Sequence, residues 1–471
     1  MNESFPTPRA ERVPTLHLKK GIAKPIHGGH PWVFAEAVAS LDGPKAQPGD
    51  EVRVVDDRGS CVGRGFFSPD SAIAVRLLTR ADAAITTEFL AARIGEAARL
   101  RRDVLKLGIA GGVQSSNIST KAQNHLEEID KQISGVEKFA RQYGMDASEE
   151  TAELRRRKES LLGGAPAPAA RLSGTTAYRA INSEGDGLGG LTVDVYGEYL
   201  AVQIGTVGMD RRAETILDIL EELYHPTGIV DRGDAKSRQI ERLTPPRHGA
   251  IRGKNCDAPF FVREHGIEIS CDLRSGQKTG LFLDQRENRR YVASFAEGRN
   301  VLDVFSYSGG FALHAAKAGA KSITLIEASE EALELAKLNL ERNGIDDADL
   351  VNVEYNEGFK HLREAGKQYD LIVLDPPKFA RSRDNVSQAL SGYRDLNAQA
   401  VRLLAPGGLL FTCSCSGSVS EIDFERTVAA ALRSSGRRAV LLDRRGPAPD
   451  HPTPPGFDQG RYLKGLLLQV V

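Results

Sequence analysis

From about Gly298 onward, short apolar runs alternate with helix-length segments, and nothing else in the 471-residue sequence restricts the fold as strongly. The runs are Asn300-Val301-Leu302-Asp303-Val304, Ser322-Ile323-Thr324-Leu325-Ile326, Asp370-Leu371-Ile372-Val373-Leu374 and Gly408-Leu409-Leu410-Phe411-Thr412. Strand–helix alternation of this kind predicts an α/β fold with a parallel sheet wound on both faces. Ligands of such sheets bind beyond the carboxyl ends of the strands. Those ends are where this chain places its chemically distinctive residues.

A chain of this length divides into roughly two to four domains. Between Leu16 and Leu78, short strands are broken by Gly and Pro, with Glu51–Val55 and Ala72–Leu77 alternating in polarity and Asp57-Arg58-Gly59 marking a turn. A small β-barrel is expected there. Thr87 is the expected cap of a helix running to about Leu107. Leu126, Ile129, Ile133, Val136 and Tyr143 then form one apolar stripe, and Ser148–Leu162 reads as a second helix. A helical hairpin inserted between domains follows, ending in a Gly- and Pro-rich linker. From Tyr178 the pattern is mixed α/β, with strands at Thr192–Val195 and Leu200–Ile204 and a helix near Arg211–Tyr224. The expected division is a β-barrel over 13–85, a helical linker and hairpin over 86–172, a central α/β domain over 173–275 and the doubly wound domain over 276–471.

The formal net charge is −1, so a nucleic-acid surface must come from local clusters of Lys and Arg. Lys236, Arg238, Arg381 and Arg383 are candidates for holding phosphates, against the plainer reading of solvated charges. Five cysteines without CxxC or Cys/His spacing exclude a disulfide framework and give no metal site. The N-terminus lacks an apolar signal core and no run is long enough to span a bilayer, so a reducing cytoplasm is expected.

Asp303 ends the first strand of the alternating region and precedes Phe305-Ser306-Tyr307-Ser308-Gly309-Gly310. A glycine pair lets backbone approach a ligand, and the helix behind it offers free amides. Glu327 closes the next strand about 17 residues beyond Gly310, where a carboxylate can accept from ribose hydroxyls. The GxGxxG that holds a dinucleotide pyrophosphate is absent. A nucleoside cofactor without phosphates, such as S-adenosylmethionine, fits better than NAD. Asn356 and Glu357 are candidate adenine contacts, a solvated turn being the equal alternative.

Asp375-Pro376-Pro377-Lys378-Phe379 leaves another apolar strand, and its prolines fix the backbone that aims Asp375 into the cleft. Cys413 and Cys415 end the next strand on one face. Buried packing is the usual fate of such cysteines. Cys415 lies farther out, beside Ser416 and Gly417, and is the candidate nucleophile.

With these residues the chain resembles the bacterial class I large-subunit rRNA cytosine-5 methyltransferases. The resemblance rests on His30-Pro31-Trp32-Val33-Phe34, Arg64–Pro69, Glu184–Leu188, Gly190–Asp194, Gln277–Arg286, the Asp303 segment, Asp375–Phe379, Ser414–Gly417 and Tyr462–Gly465, in family order. It implies an N-terminal PUA domain, a central α/β domain and a Rossmann-like methyltransferase domain. It further implies S-adenosylmethionine as cofactor, Gln285 and Arg286 beside the cofactor cleft, Cys415 as nucleophile, 23S rRNA as substrate and a homodimer. The chain departs from the pattern at Glu357, where Asp is usual, at Gly189-Gly190, and in the insertion over 110–172.

The chemistry agrees with a thiol at this place. C5 of cytosine is a poor nucleophile, and a thiolate added to C6 makes C5 enamine-like. A free thiol titrates at about 8.5, so the site must lower that value or deprotonate the thiol on base binding. Asp375, protonated, is placed to hydrogen-bond cytosine N3, and the base must leave any stack to reach the cleft. Two other readings remain open: methylation of a purine nitrogen, which needs no thiol, and a non-catalytic RNA-binding assembly factor.

Overall fold

The computed structural model describes residues 13–107, 151, 174–274, 276, 278–379 and 385–471. The hairpin expected over 110–172, and Arg381 and Arg383, lie outside them. The chain forms two units. One ends at Asp257 and takes in Pro452–Gly456; the other holds Ala258–His451 and Phe457–Val471.

The first unit opens with six strands: β1 (Thr15–Leu18), β2 (Trp32–Phe34), β3 (Val38–Asp42), β4 (Glu51–Val55), β5 (Cys61–Phe67) and β6 (Ile73–Thr79). They form one sheet in the order β2-β6-β5-β4-β1-β3. Leu16, Val33, Val52 and Val54 enter its core because alternation along β1, β2 and most of β4 sends every second side chain inward, and Val75 joins them from β6. The following helix, α1 (Thr87–Arg99), is capped by Thr86, whose side chain accepts from the Phe89 amide. The cap therefore falls one residue before the expected Thr87: Thr86 has the extended backbone of an N-cap and Thr87 is already helical.

The same unit carries a second sheet, β11-β10-β9-β8-β7, from β7 (Ala177–Asn182), β8 (Leu191–Tyr196), β9 (Tyr199–Ile204), β10 (Gly228–Asp231) and β11 (Ala250–Gly253). Helix α2 (Ala213–Tyr224) packs Ile216, Leu217 and Leu220 into a core that also receives Phe66 and Leu78 from the first sheet. Polar ties join the two sheets: Trp32 Nε1 donates to Glu184 at 2.8 Å, and Arg76 pairs with Glu184 and Glu241. Arg238 is buried and donates to the carbonyls of Ile204 and Thr244 and to Asp210, so it holds the fold together and is not presented to a phosphate. Lys236 is exposed.

The second unit starts with the hairpin β12 (Phe260–Glu264) and β13 (Ile267–Cys271), then α3 (Arg286–Ala293). Five parallel strands follow with intervening helices: β14 (Asn300–Val304), α4 (Gly310–Lys317), β15 (Ser322–Glu327), α5 (Glu330–Arg342), β16 (Asp349–Asn352), α6 (Tyr355–Glu364), β17 (Tyr369–Leu374), α7 (Val386–Val401) and β18 (Leu404–Ser414). After α8 (Glu421–Ser434), β19 (Ala439–Arg445) and β20 (Lys464–Val470) complete a sheet ordered β16-β15-β14-β17-β18-β20-β19. The first five strands are parallel and the last two add antiparallel. The strand order reverses between β14 and β17, which opens a crevice at their carboxyl ends. Leu302, Val304, Ile372, Leu374 and Leu410 are wholly buried, as expected of strands covered on both faces.

Candidate functional site

Asp303 stands near the end of β14 and Asp375 just past the end of β17, the two strands that flank this crevice. Asp303 is the fourth residue of β14, paired in register with Leu325 and Val373. Its Oδ2 accepts the Ala312 amide at 3.0 Å, so the carboxylate caps the N-terminal turn of α4. Its Oδ1 is buried and has no hydrogen-bond partner. Burial pushes the carboxyl up to about 8, reinforced by the nearby charges of Asp375 and Glu327. A buried acceptor left open near the carboxyl end of a strand, at the sheet's ligand-binding edge, is the mark of a ligand-contacting group.

The loop after β14 bends sharply to reach α4. Phe305 and Tyr307 both take left-handed backbone, with φ of +62° and +48°. Such conformations cost non-glycine residues energy and persist where the surroundings fix them. The Phe305 amide donates to Ile326, and its ring packs on Tyr355 at 5.1 Å. Tyr307 donates its amide to Glu327 Oε2 at 2.9 Å and meets the Phe282 ring. Ser306 is buried with its hydroxyl unpaired. Gly309 also has positive φ, and a Cβ on Gly310 would lie 2.7 Å from the Arg289 side chain. Both glycines are thus required by backbone shape and close approach.

Glu327 ends β15 half-buried; its second oxygen accepts the Ser329 amide at 3.0 Å. Each carboxylate oxygen keeps a further lone pair, so the residue is fixed in place and still able to accept. Asn356 and Glu357 are placed differently from the expected turn. Both lie exposed in the first turn of α6, where Asn356 accepts from Gln399 at 2.7 Å.

Gln285 is buried. Its amide donates to Cys413 Sγ at 3.5 Å, accepts from Asn288, and hydrogen-bonds Asp375. Arg286 offers no free guanidinium to a cleft: it is buried, donates to Asp450 at 2.7 Å and pairs with Glu287. Its contribution is to anchor the turn that presents Gln285.

Asp375, just past β17, is half-buried. Burial and the Asp284 charge push its carboxyl up to about 6, against the pull of Gln285, Lys278 and Arg289. Cys413 lies within β18, wholly buried, its thiol pushed well up by burial. Cys415 follows the strand end, half-buried, with Sγ 3.7 Å from the Pro376 carbonyl oxygen. Burial and the Asp375 charge push this thiol up to about 11, partly offset by Lys378 and Lys278. The resting group is a thiol.

Residues that the sequence reading passed over complete the site. Lys278 and Tyr462 both donate to Asp284 Oδ2 at 2.6 Å, holding that carboxyl well below its usual range despite burial. Tyr393 on α7 is buried, hydrogen-bonds Ser414 and Ser416 at 3.0 and 3.1 Å, and stacks on Phe379 at 4.7 Å. Lys278, Asp284, Tyr462 and Lys464 lie in motifs visible in the sequence. Their pairing spans up to 178 residues, which no local spacing reveals. Among the described residues, no cluster of His, Cys, Asp or Glu is arranged to hold a metal ion, and no helix is long and apolar enough to cross a membrane.

Compared with known proteins, residues 251–467 match the family model described as S-adenosylmethionine-dependent methyltransferase, and residues 16–80 match a PUA-like domain. The ribosomal RNA large subunit methyltransferase I of Shewanella denitrificans is 35% identical over 461 residues, covering 97% of this chain and 99% of that protein. The protein of that name from Photobacterium profundum is 32% identical, again over 97% and 99%. Among solved structures, a putative SAM-dependent methyltransferase from Streptococcus mutans has a TM-score of 0.71 at 19% identity, covering 97% of this chain and 100% of that one. A putative methyltransferase complexed with SAH has a TM-score of 0.72 at 19% identity over the same shares. At that identity the likeness is one of fold.

Proposed function

The chain belongs to the ribosomal RNA large subunit methyltransferase I family, with S-adenosylmethionine as cofactor, and on that premise we propose that it methylates C5 of a cytosine in 23S ribosomal RNA through Cys415. The observation that carries this reading is the half-buried Cys415 thiol, just past β18 and against the Asp375 loop. Methylation of a purine nitrogen requires no such thiol.

The cofactor's residues would be Asp303, Phe305, Ser306, Tyr307, Gly309, Gly310 and Glu327, with Gln285, Asp375, Asn356 and Glu357 at the margins. The open Oδ1 of Asp303 and the unpaired Ser306 hydroxyl fit a ligand with hydroxyl and amino donors. Bound there, S-adenosylmethionine supplies a methyl group activated by its sulfonium. Phe305 and Tyr307 keep the loop backbone pressed toward the ligand.

Cys415 loses its proton to solvent, and the thiolate forms a bond to C6 of the base. The π electrons of C5–C6 become available at C5, which takes the methyl group. Asp375, titrating at about 6 and so part-protonated near neutrality, donates to cytosine N3 and draws charge from the ring. Solvent takes the C5 proton, its bonding pair restores the C5–C6 double bond, and the Sγ–C6 pair returns to Cys415. The PUA-like fold of the first unit gives this enzyme an RNA-binding module, and five free thiols among the described residues suit a cytoplasmic location. Mapping 5-methylcytosine in ribosomal RNA from cells with and without the protein tests the assignment. One modified cytosine should vanish with the protein; an unchanged map overturns it.

A further inference from the structure

Lys464 begins β20, directly across the ladder from Ser414. It is buried, and its Nζ donates to the carbonyl oxygens of Ser416 at 2.7 Å and Val419 at 2.8 Å. These carbonyls bracket the turn that immediately follows Cys415. An ammonium buried this way normally has a carboxylate beside it, because an uncompensated buried charge is costly. Among the described residues no carboxylate is within ion-pair distance of Lys464. Its two partners are neutral carbonyls.

We propose that Lys464 is a positioning residue for Cys415: it pins the Ser416–Val419 turn and supplies positive charge against which the Cys415 thiolate forms. The inference rests on Cys415 as nucleophile. The thiolate is the anion that the buried ammonium lacks in the resting state, so the pair is completed only when the thiol ionises.

The other groups facing Cys415 do not serve in its stead. Asp375 and Asp284 oppose a thiolate there, and Cys413 and Tyr393 remain neutral behind it. Lys278 is matched by Asp284 at 2.6 Å, and Lys378 is exposed, where solvent and salt screen its charge. Of these three lysines, Lys464 is the buried one without a carboxylate. Glu421, at the start of α8, faces Lys464 only through a weaker interaction. Burial pushes Lys464 down to about 8, and the charge of ionised Cys415 raises it again.

Iodoacetamide alkylation of Cys415 in the full-length protein, read by peptide mass spectrometry between pH 7 and 9, reports the thiolate fraction without RNA or methyl transfer. Lys464→Met should slow alkylation at pH 7.5 about tenfold, a rise of about one pH unit in the thiol midpoint, with cofactor affinity unchanged. Lys464→Gln keeps an N–H for the turn and loses the charge, and should slow it equally; it covers the case in which the Met variant fails to fold. Wild-type rates in a folded charge-free variant overturn the proposal. That result leaves the nucleophile standing, since full activity in Cys415→Ala, or an adduct trapped on Cys413, is what removes it.

Discussion

Cys415 Sγ and the Pro376 carbonyl oxygen lie 3.7 Å apart, so the turn after β18 and the Asp-Pro-Pro loop after β17 meet at the thiol. Tyr393 ties the same two loops from below through Phe379, Ser414 and Ser416. A base inserted between them would meet the thiol and the Asp375 carboxyl together.

Glu327→Ala should weaken cofactor binding by about 1–3 kcal/mol, the range for leaving polar partners unmatched. The side chain also accepts from Tyr307 and Ser329, so the loop loses an anchor as well. Calorimetry decides: equal affinities would remove Glu327 from the site, and tight NAD binding would overturn the cofactor placement.

Asp303 titrates at about 8, well above an ordinary carboxyl near 4, so the folded protein holds a proton there that the unfolded chain releases. Its contribution to stability is therefore full below about pH 4 and is lost as pH rises toward 8. His314, whose midpoint is lowered by burial, slopes the other way, so the comparison must be between variants. Asp303→Asn should gain in melting temperature over wild type as pH rises from 5 to 8, while binding cofactor more weakly. A difference independent of pH would contradict the raised midpoint.

Arg286→Met takes from the buried Asp450 carboxylate its guanidinium partner, leaving it beside His451, and should cost about 3–5 kcal/mol in stability. Denaturant unfolding measures this. A loss of cofactor affinity with stability intact would return Arg286 to the cofactor cleft.

Lys19, Lys20 and Lys24 are exposed in one short segment between β1 and β2. If that segment touches phosphates, replacing all three with Glu should weaken ribosomal RNA binding. The salt dependence should flatten too, by about one unit of slope for each phosphate no longer held. An unchanged salt slope would place the RNA surface elsewhere.

The strands of the second unit were legible because parallel strands buried on both faces read as unbroken apolar runs. Asn300–Val304 in the structure matches the expected run residue for residue. The positions of the residues at or just past their ends, from Asp303 to Cys415, were legible for the same reason, since a strand end fixes which residues lie near the crevice. The β12–β13 hairpin and the β19–β20 pair are not legible in this way; they are short antiparallel additions whose pairing is set by tertiary contact. The buried bonds around the site were hidden too. Gln285 reaches Cys413 across 128 residues, and Arg286 reaches Asp450 across 164. The family resemblance implies that both lie beside a cleft and does not say that one guanidinium is already matched.

The roles of the two neighbouring cysteines separate most cleanly in a trapping experiment. Ribosomal RNA carrying 5-fluorocytosine blocks the final step, because fluorine cannot leave C5 as a proton does, and the Sγ–C6 bond should persist. Wild type and Cys413→Ala, which loses a buried packing group and the acceptor of one Gln285 hydrogen bond, should both form the covalent complex in the presence of S-adenosylmethionine. Cys415→Ala should form none and transfer no methyl group, with cofactor affinity retained. An adduct on Cys413 would move the nucleophile by one pleat repeat; full methyl transfer by the Cys413/Cys415 double variant would contradict thiol catalysis altogether.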